Sequence, residues 1–233
     1  MSAGEAREAR VRGAFVSLEP LEKAQAFAGI VAALTSFPGE PRIQARGCGA
    51  LARLARNLFA RQKIGAVPGA LEAVTAPLWL HPCDSDCVFH ACWAIATLAH
   101  SMKNRAAIGE ACPAVMSAIV EALRQHRGDT LVVEHGVHAL SELCKPVFGK
   151  RPNVLRLQLC TGAMEALRGV YEGARAGSRT SLCARATLQA CGESTLMRHH
   201  SMFTTRPSRG GGRGGHTRQR SNSSGDLMDT KLW

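Results

Sequence analysis

Aromatic residues are scarce in this chain: seven Phe, three Trp and one Tyr among 233 residues. Strand-favouring side chains are correspondingly few, and an Ala- and Leu-rich composition leans toward helices packed through small residues. Long apolar runs are missing too. Charge or Pro interrupts each of them well short of a membrane span. The opening MSAGEAREARVRGAF has no apolar core of the signal-peptide kind, and Glu5 and Glu8 argue against a transit peptide. Acidic residues are outnumbered, 18 against 29 Lys and Arg, for a formal charge of +11. That balance favours nucleic acid, acidic peptides or an anionic membrane surface as partners. Nine Cys, an odd number spread over the whole chain, do not form the paired framework of a small secreted domain. A reducing compartment is expected, cytoplasmic or nuclear, with most thiols acting as small core residues.

Motifs that announce chemistry are absent as well. There is no G-x-x-x-x-G-K-S/T loop, no G-x-G-x-x-G after a strand, no H-E-x-x-H and no G-x-S-x-G elbow. The acidic residues are scattered, with no carboxylate pair sharing an apolar face. No catalytic residue, cofactor or metal is therefore expected, and the chain reads as a non-enzyme. The densest ligand-like stretch runs from His81 to Cys92. Cys83 and Cys87 have C-x3-C spacing with His81 or His90 nearby, but no second Cys pair follows at a finger-like distance. Core and capping roles explain these residues better.

What is present is a repeat. Gly47 to Ala55, Ala91 to Ala99, Gly136 to Cys144 and Cys183 to Cys191 share one pattern, and their second residues stand at 48, 92, 137 and 184. These positions lie 44, 45 and 47 residues apart, the period of helical repeats of the armadillo and HEAT kind, roughly 40–47. A second ladder, Ala26-Phe27, Ala70-Leu71, Ala114-Val115 and Ala163-Met164, runs in phase, followed one turn later by Ile30, Val74, Ala118 and Leu167. Apolar residues recur at helical spacing in both ladders. The first position of the pattern is always small (Gly47, Ala91, Gly136, Cys183), so neighbouring helices approach closely there. Pro38-Gly39, Pro82, Gly128 and Gly177 break the helices, and Asp84, Asp129 and Ser178 stand where N-caps belong. The pattern predicts helices over 21–35, 41–56, 67–80, 85–100, 112–126, 130–145, 161–174 and 179–191. Short linking helices are expected over 58–65 and 103–110, and the insertion at 147–159 has room for another.

Ala91-Cys92-Trp93-Ala94-Ile95-Ala96-Thr97-Leu98-Ala99 resembles the third-helix pattern of the armadillo repeat family, A-x-W-A-L-x-N-L-A. Asn104 to Gly109, followed by Pro113 to Leu123, resembles that family's first and second helices. The likeness covers roughly residues 22–192. It implies an all-α fold, a right-handed α-solenoid of about three to four repeats whose third helices line a concave groove for an extended peptide or a partner helix; a monomer is expected. The expected organisation is an N-terminal segment 1–20, partly disordered or a capping helix, an armadillo-like domain 21–193, and a disordered basic tail 194–233. The family's nuclear-import receptors repeat Trp and Asn four residues apart. Here the Trp position reads Gly49, Trp93, His138 and Arg185, and the Asn position reads Arg53, Thr97, Glu142 and Gln189. One Trp and no Asn speak against a nuclear-localisation peptide as ligand.

On this reading three rows face the groove: Arg46, His90 and His135; Gly49, Trp93, His138 and Arg185; Arg53, Thr97, Glu142 and Gln189. Trp93 would anchor an apolar side chain while Arg46, Arg53 and Arg185 attract acidic groups, which makes the chain a protein-binding scaffold for an acidic or amphipathic segment. The plainer reading is a partly exposed Trp on a solvated basic face. His90, His135 and His138 on neighbouring helices are placed to sense pH, or are simply polar groove residues. From about Ser194 the composition turns to Arg, Gly and Ser, which cannot build a core. Residues 195–233 carry +5 of the net charge. Arg209, Arg213, Arg218 and Arg220 form a weak RGG-like box suited to RNA phosphates. Arg218-x-Arg220-x-x-Ser223 also fits a basophilic kinase site, where phosphate on Ser223 would cut the local positive charge.

Overall fold

The computed structural model describes residues 20–192, with side chains from residue 25 onward. The described residues are all-α. In chain order they form α1 (Pro20–Ser36), α2 (Pro41–Leu54), α3 (Leu58–Gly65), α4 (Ala70–Thr75), α5 (Pro77–Leu80) and α6 (Ser85–Leu98), then α7 (Met102–Ala111), α8 (Val115–Gln125), α9 (Thr130–Leu143), α10 (Pro152–Gln158), α11 (Ala163–Gly173) and α12 (Arg179–Ala190).

The three anticipated caps are made. Asp84 accepts from Cys87 N, Asp129 from Leu131 N and Val132 N, and Ser178 from Ser181 N, each satisfying donors that a helix start leaves open. One helix departs from the sequence pattern. The segment expected over 67–80 begins only at Ala70, after Gly69 with φ 74°, and breaks at Ala76 into α4 and α5. Pro77 brings no N–H, so it ends one helix and opens the next.

Packing follows the period. Helices α2, α6, α9 and α12 stack in succession, and α1, α8 and α11 pack against α2, α9 and α12 respectively. Cys48, Cys92, Val137 and Ala184 are each 0 % exposed, so the four aligned positions occupy the same buried place in successive stacked helices. The second ladder is buried at Phe27, Leu71 and Val115, while in the last copy Ala163 is buried and Met164 half-buried. Val74 and Leu167 are fully buried, and Ile30 and Ala118 half-buried. Each such Leu, Phe or Val contributes about 1.5–3 kcal/mol when fully withdrawn from water.

The always-small position has a direct cause. A Cβ on Gly47 would lie 2.6 Å from Leu34 Cδ2, and one on Gly136 would lie 2.9 Å from Leu123 Cδ2. Leu34 and Leu123 each stand 13 residues before the glycine they press on, and Leu78 holds the same place before Ala91.

Polar braces recur with the same period. His81 donates from Nε2 to the Pro38 carbonyl and His126 to the Pro82 carbonyl, both at 2.7 Å. Arg61 Nε donates to Ala55 O at 2.9 Å and Arg105 Nε to Ala99 O at 3.1 Å, closing the carbonyl ends of α2 and α6. Asn104 Nδ2 then reaches Arg61 O at 3.0 Å, and Asn153 Nδ2 reaches Arg105 O at 3.3 Å. Gly65 and Gly109 leave the room for these two amides, since a Cβ on either would collide with the Asn oxygen. No helix among the described residues is by itself long and apolar enough to cross a membrane.

Candidate functional site

Trp93 sits half-buried in the middle of α6. Phe89, one turn earlier, stacks beside it with ring centres 6.0 Å apart and planes 9° from parallel. His135 from α9 closes on both rings, 5.9 Å from Trp93 and 5.0 Å from Phe89. His90 adds a fourth ring, 6.2 Å from Trp93. It leans across α2 because Gly49 has no side chain: a Cβ there would stand 2.5 Å from His90 Cδ2. Arg53, also on α2, holds its guanidinium 5.7 Å from the centre of the Trp93 ring, a cation–π distance. The result is an aromatic cluster spanning three stacked helices. Phe89 is the member that the sequence reading passed over. Its signal was its place four residues before Trp93, on the same helical face.

Arg46, Arg53 and Arg185 are exposed, and no carboxylate among the described residues lies within ion-pair distance of them. Helix α2 carries no acidic residue at all, and of the three arginines it is Arg53 that stands against the aromatic cluster. His135 Nδ1 is buried without a hydrogen-bond partner. Burial pushes the His135 imidazole below its ordinary value, and the nearby cationic groups His138, Arg179 and His90 push the same way against Glu134.

The third row differs from its expected role. Thr97 and Glu142 are buried, as is His138 of the second row, so these three do not offer themselves to a partner. Thr97 turns its hydroxyl back to Trp93 O at 2.8 Å, which satisfies the hydroxyl inside its own helix. Gln189 is exposed. Glu142 is the centre of a separate charge cluster. Lys145 Nζ lies 2.6 Å from its Oε1, His138 Nε2 3.6 Å from Oε1, and His100 Nδ1 3.8 Å from Oε2. Arg179 Nη2 approaches His138 Nε2 to 2.7 Å. Burial pushes the Glu142 carboxyl up, but the polar contact with His138, the hydrogen bond from Lys145 and the charges of His100 and Lys145 outweigh it and hold the pKa at about 2.

His100, His138 and Glu142 bring ligand atoms within 4.8 Å of one another. The set does not suit a metal ion. Lys145 and Arg179 already occupy the carboxylate and an imidazole nitrogen, and a divalent cation would meet both positive charges at close range. In the His81–Cys92 stretch two of the ligand-type residues are committed elsewhere. His81 is committed to Pro38 O, the buried Cys87 thiol donates to Pro41 O at 3.0 Å, and burial pushes that thiol up to about 12.

Two clefts open elsewhere. One, of about 770 Å³, lies between α8–α9 and α11–α12, where Gly162, Gly169 and Gly173 keep α11 slim. The other, of about 960 Å³, is bounded by Trp79, Ala118, Arg156 and Leu159. Arg209, Arg213, Arg218, Arg220 and Ser223 lie outside the described residues. Comparison with protein-family models, with curated proteins and with solved structures returns no match for this chain.

Proposed function

We propose that residues 20–192 form a short armadillo-like α-solenoid that acts as a protein-binding scaffold, without catalytic activity. It would hold an acidic segment of a partner, with one large apolar side chain, across α2, α6 and α9. The observation that carries this reading is the aromatic cluster of Phe89, His90, Trp93 and His135 with the Arg53 guanidinium against the Trp93 ring, an arginine that has no carboxylate partner among the described residues. A half-buried aromatic group next to an arginine is the composition of an interface hot spot. An acidic partner adds charge complementarity that speeds encounter and selects against basic competitors. The recurrence of Cys48, Cys92, Val137 and Ala184 in successive stacked helices supports the repeat reading. All nine Cys are free thiols and six are buried, which supports a reducing compartment, cytoplasm or nucleus.

The test is selection of a random peptide display library on the full chain. Enriched peptides should combine carboxylates with a single aromatic or aliphatic anchor. Trp93→Ala and Arg53→Glu should each weaken the best peptide by about tenfold, or about 1.4 kcal/mol. Selection of no consensus, or equal binding by both variants, defeats the proposal. The Arg- and Gly-rich stretch 204–225 supports a second reading, association with RNA. There, deletion of 195–233 should abolish a salt-dependent gel shift that Trp93→Ala leaves intact.

A further inference from the structure

A different edge of the molecule combines exposed apolar side chains with cations. It comprises the connections that follow α2, α6 and α9. In residues 55–64, 99–107 and 144–156 there is no Asp or Glu. Each connection instead projects an apolar side chain. Leu58 is 61 % exposed, Phe59 50 %, Met102 38 % and Phe148 76 %. Lys63, Lys103, Lys150 and Arg151 are exposed alongside them, and Lys63 Nζ stands 5.4 Å from the Phe59 ring centre. The three connections are tied together. Asn104 bonds to Arg61 O, Arg105 Nη1 donates to Pro146 O at 2.7 Å, and Phe148 N lies 3.5 Å from Met102 Sδ. Leu58 and Met102 are 44 residues apart and Met102 and Phe148 are 46 apart, so the knobs recur layer by layer along one edge.

Phe148 carries the second observation. Val147 and Lys150 exchange backbone hydrogen bonds at 2.7 and 3.0 Å, closing a tight turn with Phe148 and Gly149 at its tip. Both tip residues have positive φ, 48° and 74°. That is the type I′ geometry, which Asn-Gly suits best and a bulky aromatic suits poorly. The chain thus holds an aromatic ring in an unfavourable backbone conformation, and the ring packs against little of its own protein. Strain at an exposed side chain points to a task outside the fold.

We propose that this edge docks onto an anionic phospholipid bilayer, with Phe148, Met102 and Leu58–Phe59 entering the headgroup region and the flanking Lys and Arg meeting lipid phosphates and carboxylates. A line of separate protrusions suits a lipid surface. The four apolar residues line neither of the two clefts described above. Leu58 and Met102 have no ring on which a nucleic-acid base could stack. Exposed apolar side chains flanked by cations, on connections that carry no acidic residue of their own, are what peripheral attachment to anionic membranes requires.

The experiment uses the full chain, with sedimentation against vesicles of phosphatidylcholine alone or with about 30 % phosphatidylserine. The wild type should bind only the anionic vesicles, and binding should weaken as salt rises. Phe148→Asn is the decisive variant. It creates the favoured Asn-Gly tip, so thermal stability should rise or hold while vesicle binding drops about tenfold. Lys103→Glu with Lys150→Glu should lower binding at least as much, and helix content should be unchanged in circular dichroism. Wild-type binding by both variants would mean that the Arg-rich 195–233 segment alone holds the vesicles, and would overturn the proposal. Loss of a single-stranded RNA shift in the Lys variant, with vesicle binding indifferent to Phe148→Asn, would mark the edge as a nucleic-acid surface and overturn it equally.

Discussion

Adding one methyl group at Gly109 should destabilise this protein, although the same change at Gly169 should stabilise it. Both glycines sit within helices, α7 and α11, where Ala is intrinsically better than Gly by about 0.8–1 kcal/mol. Around Gly169 a Cβ meets nothing within 4 Å, so Gly169→Ala should gain most of that amount. At Gly109 the methyl would collide with Asn153 Oδ1. Asn153 is 1 % exposed and cannot simply swing away. Its Nδ2 donates to Leu143 O at 3.0 Å and to Arg105 O at 3.3 Å, and its Oδ1 accepts from Arg156 Nη1 at 2.9 Å. Displacing the amide strands the buried Leu143 carbonyl, at about 1–3 kcal/mol for an unsatisfied buried group, and removes the second bond at Arg105 O, which keeps its partner within α7. That loss exceeds the helix-propensity gain. The net expectation for Gly109→Ala is a destabilisation of about 2 kcal/mol, measured as a shift in the urea midpoint with an unchanged slope. In an Asn153→Ala background the penalty should vanish, giving a coupling energy of at least about 1 kcal/mol in the double-mutant cycle. If Gly109→Ala matches Gly169→Ala in sign, the brace between α7 and Asn153 is not what holds these layers.

Acidification should weaken the fold in two stages. Burial holds the His100 and His135 imidazoles below their ordinary value. The unfolded chain therefore binds protons first as pH falls below about 6.5, and stability that is complete above that value declines as pH falls through the lowered folded-state values. Glu142, held at about 2, adds a second loss as pH falls from about 4.5 toward 2. Thermal melts across this range should show both stages, and His135→Phe should flatten the first. An unaltered slope in that variant would remove His135 as a cause. Native-state alkylation followed by mass spectrometry should modify Cys83, which is exposed, and spare Cys48, Cys87, Cys92 and Cys144, which are buried with thiols pushed far up. Early labelling of Cys92 would mean that α6 is not the packed centre. Asp129→Ala should lower stability by about 1 kcal/mol through loss of two capping bonds; a neutral result in chemical denaturation would show that α9 is held by packing alone.

Most of the helix layout was legible because it depends on local rules repeated four times. A small residue marks each close crossing, an apolar residue follows it at 48, 92, 137 and 184, and Asp84, Asp129 and Ser178 open the helices. Pro77 was legible as a breaker and was passed over because the apolar period runs straight through it. The candidate site was only half legible. Trp93, Arg46 and Arg53 stand out by residue type. Phe89 reads as one more apolar residue until its ring is seen beside Trp93. Burial of Thr97 and Glu142 was hidden for another reason. Helical phase places them toward the groove, but a hydroxyl satisfied by Trp93 O and a carboxylate gripped by Lys145 and His138 tolerate withdrawal from water. Those partners come from the residue's own turns and from α6 and α9 together, which no spacing rule encodes. The edge bearing Phe148 was invisible as a unit, since its parts are more than forty residues apart in sequence.

The Arg and Asn braces have a consequence for how such a chain can change its length. Arg61 O receives its amide from the following layer, and so does Arg105 O. Excising one copy, or splicing in another, keeps the brace only where the cut brings the next layer's Asn onto the open carbonyl, however well the apolar faces match. Selection on this architecture therefore acts on junctions rather than on modules. A viable shorter or longer relative should carry its Gly and its Asn across the seam as an inherited pair.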